Sequence, residues 1–206
     1  MTQKERQERS REMIYQAALQ EFGTYGYDGV NMEGICGRHG ISKGMMYHYF
    51  FRKDDLFLLC VDRTFRDLQA YIEETAPGQE EGNTLDALRK YFMIREDYFQ
   101  LHPRQKRVFE NAMLRPPRHL TEQIRQLYAP LRELNRQFME KLLSGIPLRP
   151  GLKPEKAACY LESIGGFFQN AMQTYLEKET DHDLHAMLEN AGELLDMVFF
   201  GVFRQQ

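Results

Sequence analysis

A chain of 206 residues, 42% hydrophobic and 28% charged, has ordinary globular composition and enough length for one large domain or two modest ones. No apolar run approaches the ~20 residues that cross a bilayer, and the charged start MTQKERQERSREM lacks the apolar stretch of a secretory signal, so the sequence predicts a soluble cytoplasmic protein without a membrane partner. The net charge of −3 is unevenly spread: residues 1–53 hold eight Lys/Arg against six Asp/Glu, a balance of +2 that leaves −5 on the rest, as suits a protein that meets phosphate with one end only.

Helical periodicity runs through the chain and no β-branched alternation supports a sheet, so the predicted class is all-α with about nine helices. The first helix carries its apolar stripe at Ile14, Ala17, Ala18 and Phe22 and ends within Gly23 to Gly26. Asn31 caps a second helix through about Arg38, Gly40 makes a tight turn, and Ser42 caps a short third helix through about Tyr49. Arg52 to Glu74 reads as a longer helix with Leu56, Leu59, Cys60, Phe65 and Leu68 at three- and four-residue steps. Pro77-Gly78 and the acidic GQEEGN form the clearest break, and later prolines and glycines delimit helices near 84–101, 104–114, 119–144, 154–178 and 181–203, with Pro130 placed to kink the longest.

Residues 31–50, NMEGICGRHGISKGMMYHYF, have the logic of a helix-turn-helix: a capped helix with Ile35 and Cys36 inward, a glycine turn, apolar Ile41, and a short second helix. A groove-reading helix must be short and open on one face. Here Lys43, Gly44, Met45 and Tyr47 to Tyr49 are predicted outward, and Met46 and Phe50 inward. A purely structural hairpin has the same pattern, and a helical dimer that scaffolds a partner without DNA remains the rival reading.

The stretch GYDGVNMEGICGRHGISKGMMYHYFFRKDDL at 26–56, preceded by AALQEFGTYGY at 17–27, resembles the TetR family of transcriptional regulators over residues 10–60, about a quarter of the chain. The resemblance implies an N-terminal three-helix DNA-binding domain at 1–53 and a helical ligand-binding and dimerisation domain at 54–206, together a repressor released from a palindromic operator by a small molecule. It also implies roles for single residues. Tyr47, His48 and Lys53 would meet phosphates, Lys43, Gly44 and Met45 would meet base edges, Tyr49 would make a further contact, and Asn31 would cap and donate to phosphate. Glu33 departs from the pattern, facing either solvent or the N4 amine of a cytosine.

The last two predicted helices are apolar on two sides. Leu161, Gly165, Phe168, Met172 and Tyr175 step by fours and threes in one; Leu184, Leu188, Ala191, Leu195 and Val198 do so in the other, ahead of Val202. Such helices suit a twofold four-helix interface of a homodimer, or two core helices of a monomer. Tyr98, Phe109, Met113, Phe138, Tyr160, Ile164 and Phe167 lie among soft and aromatic residues that serve equally as plain core; the resemblance makes them candidates to line an apolar cavity for an apolar or amphipathic effector. His102, Arg115 and His119 near helix ends are candidates to orient a polar group of that ligand.

No catalytic triad motif, phosphate loop or metal-ligand spacing appears, so neither an enzyme nor a cofactor is predicted. The fragment TDHDLH at 180–185 reads more simply as a helix cap than as a metal site. Cys36, Cys60 and Cys159 are read as reduced, buried thiols.

Overall fold

The computed structural model describes residues 2–75, 91, 94, 95, 97–144, 148 and 150–160. Its regular elements are helical: α1 (Gln3–Tyr25), α2 (Met32–His39), α3 (Lys43–Tyr49), α4 (Lys53–Thr75), α5 (Pro103–Leu114), a 3-10 turn (Arg118–Leu120) and α6 (Thr121–Ser144). Residues 97–101 and 154–160 are also helical. The all-α class therefore holds among the described residues, and helix limits fall within two residues of expectation for α2 to α6. The predicted helix at 181–203, and most of those at 84–101 and 154–178, lie outside the described residues.

Local chemistry accounts for most of the ends. Thr2 and Glu5 cap α1 reciprocally, each side chain taking the other's backbone N–H, at 3.2 and 2.9 Å. The helix stops at Gly26, whose φ of 69° is paired with an extended ψ. Proline opens α5, where a missing N–H costs nothing. α6 runs unbroken through Pro130.

The chain divides into two compact units, Met1–Ala76 with Ile94–Leu131, and Pro77–Met93 with Arg132–Gln206. In the first, α1 packs against α4 and α5, α4 packs against α5, and α2 and α3 lean on α1. Ile14, Ala18, Phe22, Phe57, Cys60, Val61 and Val108 are fully buried there. Phe22 meets Phe57 edge-on at 5.2 Å between centroids, and Phe109 lies between Phe65 (5.7 Å) and Phe99 (5.0 Å). Gly23 sets the approach of α1 to α5: a Cβ at that position would stand 2.8 Å from the Cβ of Arg104.

In the second unit, the Tyr91 hydroxyl donates to Asn135 at 2.5 Å and its ring stacks on Phe138 at 3.6 Å. The helical turn at 154–160 buries Ala157 and Ala158. Cys159 corrects the expectation of three buried thiols, since it follows the two inward alanines onto the outer face and is exposed; Cys36 and Cys60 are buried as expected.

Candidate nucleic-acid interface

The α2–turn–α3 unit is assembled by short-range chemistry. The Asn31 side chain accepts from the Gly34 N–H at 2.7 Å and the Ser42 hydroxyl accepts from the Met45 N–H at 3.1 Å, so each helix starts with a satisfied donor. Between them Gly40 adopts φ 63°, the left-handed geometry that turns the chain, and the Ile41 N–H returns to the Cys36 carbonyl at 3.0 Å.

Five side chains seat this pair in the core: Ile35, Cys36, Ile41, Met46 and Phe50, all under 9% exposed. With Met46 and Phe50 inward, helical geometry turns the remaining residues of α3 out. Lys43, Gly44, Tyr47 and His48 are exposed, and Met45 and Tyr49 are half-buried. A Cβ at Gly44 would meet nothing within 4 Å, so the backbone there is open to a close partner. His48 and Tyr49 touch edge-on, with centroids 4.8 Å apart.

Two charged groups are engaged in ways that sequence alone does not reveal. Lys43 Nζ lies 2.5 Å from Glu33 Oε1, and both side chains are exposed. That hydrogen bond holds the Glu33 carboxyl below its ordinary range and raises the Lys43 ammonium, so both are charged near neutrality. Lys53, at the start of α4, places its ammonium 4.0 Å above the Tyr27 ring and donates to the Tyr27 carbonyl at 3.1 Å.

Tyr27 is itself a junction. Its backbone N–H donates to Asn111 Oδ1 at 3.3 Å, and its hydroxyl donates to Asp54. The His119 Nε2 lies 3.1 Å from Asp54 and 3.4 Å from the same hydroxyl. Burial, then Asp54, pushes the Tyr27 phenol up; the Tyr27 hydrogen bond, against some burial and with help from His119, holds Asp54 down. A third cluster fixes α2 to α1: Glu21, almost fully buried, accepts from Arg38 and lies 3.0 Å from His39 Nε2.

Residues 14–60, which include α2, α3 and the head of α4, match the family described as bacterial regulatory proteins, tetR family. The similarity to the TetR family is carried by this segment. Among the relatives of this chain, the HTH-type transcriptional regulator RutR of Escherichia coli (strain K12) is 29% identical over 105 residues, 49% of this chain and 46% of RutR. The HTH-type transcriptional regulator YezE of Bacillus subtilis (strain 168) is 28% identical over 80 residues, 39% of this chain and 40% of YezE. The chain thus matches less than half the length of either relative.

Similarity of fold extends further. SmeT, the repressor of the Stenotrophomonas maltophilia multidrug efflux pump SmeDEF, aligns over 95% of this chain and 91% of its own with TM-score 0.65 and 24% identity. A TetR family transcriptional regulator from Chloroflexus aurantiacus J-10-FL aligns over 96% and 95% with TM-score 0.63 and 22% identity. At such identities the likeness speaks for the TetR fold, an N-terminal helix-turn-helix domain followed by a helical C-terminal domain.

Of the DNA-facing candidates, Asn31 caps α2, Lys43, Gly44, Met45, Tyr47, His48 and Tyr49 lie on α3, and Lys53 opens α4. Sequence reasoning missed Glu21, Tyr27, Asp54 and Asn111, whose partners are remote in the chain, and Phe51, which stands 77% exposed beside the buried Phe50. The doubled phenylalanine after a seven-residue helix was the available signal, because only one of two adjacent residues can point into the core.

The effector candidates are divided between the units. Tyr98 and Phe109 belong to the packed core of the first, where the Tyr98 hydroxyl donates to Gln105 at 2.6 Å, and Met113 is half-buried at the end of α5. Phe138 stacks on Tyr91 in the second unit, and Tyr160 is 45% exposed with the Lys156 ammonium 5.9 Å from its ring. Ile164 and Phe167, and the dimer candidates Leu161, Gly165, Phe168, Met172, Leu184, Leu188, Ala191, Leu195 and Val198, lie outside the described residues. His119 is engaged with Asp54 and Tyr27. His102 instead borders an open groove of about 530 Å³ whose walls include Glu12, Tyr15, Arg63, Asp67 and Gln105. Among the described residues, no helix is long and apolar enough to cross a membrane, and no group of three His, Cys, Asp or Glu is placed to hold a metal ion.

Proposed function

We propose that the protein is a cytoplasmic transcriptional repressor that holds a palindromic duplex operator as a homodimer and releases it when a small apolar or amphipathic molecule binds its helical body. In this reading residues 1–53 read DNA, residues 54–206 bind the effector and dimerise, and no cofactor takes part. The observation that carries it is α3, a capped seven-residue helix anchored by Met46 and Phe50 that leaves Lys43, Gly44, Tyr47 and His48 uncovered. Such a helix fits a major groove about 12 Å wide.

Effector release draws its support from the similarity to SmeT, which is known both as a repressor and in complex with triclosan. For this chain the effector would be held among Tyr98, Phe109, Met113, Phe138, Tyr160, Ile164 and Phe167. Dimerisation rests on the two-sided apolar pattern of 161–198, within which Leu188→Glu and Leu195→Glu should each give monomers or aggregates by sedimentation.

The deciding experiment is selection of the full-length protein on a randomised duplex pool. An enriched inverted repeat, bound with steep salt dependence, is the expected result. Absence of any enriched sequence sinks the reading. A small molecule found by thermal shift must then weaken operator binding, and operator must weaken that molecule by the same factor, typically ~5–150-fold.

A further inference from the structure

We propose that Glu33 and Lys43 act together as one reading unit for a G·C base pair, Lys43 donating to guanine O6 and N7 while Glu33 accepts from the N4 amine of the paired cytosine. The inference rests on the DNA-binding reading above and adds to it the residue that sets base preference.

The two side chains come from different helices, Glu33 from the first turn of α2 and Lys43 from the first position of α3. They meet 2.5 Å apart while remaining 68% and 64% exposed. So exposed a pair adds little to folding, because water and salt screen it. Nor is it a remnant of a larger charge network: the neighbouring Arg38 is taken up by Glu21. Gly44, next to Lys43, has open space where a side chain would stand, so a base edge can approach.

On DNA the pair is electrically neutral, and it gives the recognition surface no net attraction for phosphate. Its two ends nevertheless need partners of opposite kind once water is displaced. In the major groove a G·C pair presents acceptor, acceptor, donor in order: N7, O6 and the N4 amine. An ammonium set over N7 and O6 stands beside a carboxylate on N4, since O6 and N4 are about 2.9 Å apart across their hydrogen bond. An A·T pair presents acceptor, donor, acceptor, so a carboxylate on the N6 amine is flanked by N7 on one side and O4 on the other. A lone lysine would favour guanine but would also bind any phosphate. The carboxylate removes that indiscriminate attraction and adds a demand that only cytosine meets without a facing acceptor.

The test uses the full-length wild type, Glu33→Ala and Glu33→Gln, with the duplex that the wild type selects from a random pool. Each G·C pair of a half-site is replaced in turn by one carrying N4-methylcytosine, which blocks the exposed N4 hydrogen, or 7-deazaguanine, which removes N7. At one pair per half-site both substitutions should weaken the wild type ~5-fold or more, the low end for a good base contact. Glu33→Ala should be indifferent to N4-methylation there, should accept other base pairs at that position, and should bind random duplex more tightly with a steeper salt dependence. Glu33→Gln, which keeps the shape and an acceptor oxygen, should retain part of the N4 sensitivity. If Glu33→Ala tightens selected and random duplex equally and no N4-methyl position distinguishes it from wild type, Glu33 only neutralises Lys43 and the inference is overturned. A wild type that enriches no sequence overturns the DNA-binding reading itself, a result visible before any variant is made.

Discussion

Lys53 is held by Tyr27 at two points, the ring 4.0 Å beneath its ammonium and the backbone carbonyl at 3.1 Å. A lysine is ordinarily a flexible charge on four methylenes, and a cation–π contact combined with a carbonyl acceptor restricts it to one place at the head of α4. Tyr27 is in turn tied to Asn111, Asp54 and His119. The position of a cation suited to phosphate is therefore set by residues up to 92 positions away in sequence from Tyr27.

The first prediction concerns that cation. Lys53→Ala should weaken selected and random duplex by similar factors and make the slope of log affinity against log salt shallower by about 0.9 for each phosphate that the lysine neutralises. Tyr27→Leu, which leaves the charge and its carbonyl acceptor but removes the ring beneath it, should cause a smaller weakening of the same kind. Anisotropy titrations at several salt concentrations measure both. A change of base preference in Lys53→Ala would mean that this lysine reads sequence.

Adjacent methionines should fail in different ways. Met46 is fully buried, so Met46→Ala should cost about 2–5 kcal/mol in denaturant unfolding through the cavity it leaves. Met45 is half-buried on the outer side of α3, and Met45→Ala should stay within about 1 kcal/mol of wild type while altering DNA affinity. Equal drops in stability would show that α3 sits in a different rotation.

Two glycines of the same motif make a similar contrast. Gly40 has φ 63°, so Gly40→Ala should destabilise by roughly 1–2 kcal/mol. Gly44 lies in α3 with open space around its missing side chain, and Gly44→Ala should leave stability unchanged or raise it by up to about 1 kcal/mol while weakening operator binding. Unfolding curves and titrations on the same samples separate the two effects; an unchanged operator affinity in Gly44→Ala would remove that backbone from the DNA-facing surface.

Glu21 supplies a pH dependence of known sign. Burial alone would raise its carboxyl, but hydrogen bonds from Arg38 and His39 outweigh that and hold it below the ordinary 4.5. A depressed carboxyl contributes stability that is fully present above about pH 4.5 and is lost as pH falls through the folded value. Glu21→Gln should therefore cost about 1.5–3 kcal/mol at pH 7, the range for hydrogen bonds to a charged group, and the gap should close in acid. Chemical denaturation from pH 7 to pH 3 tests it, and a gap that stays constant would show that the interaction removed is not ionic.

Among the described residues, residue order was enough to specify the helices and which face of α3 turns inward. Asn31, Ser42 and Gly40 act on groups within four residues, and the 3.6-residue period fixes that Met46 and Phe50 cannot face outward together with Tyr47 and His48. The pairings came from packing. Glu21 finds Arg38 and His39, Glu33 finds Lys43, and Tyr27 gathers Lys53, Asp54, Asn111 and His119, because helices packed side by side bring distant positions together. Packing also turned Cys159 outward, since a thiol's burial depends on which face of its helix the neighbours cover. A periodic pattern states which side of a helix is apolar, but the azimuth and depth at which two helices meet depend on the packing of all their side chains at once, and that relation selects the partner of each charged group.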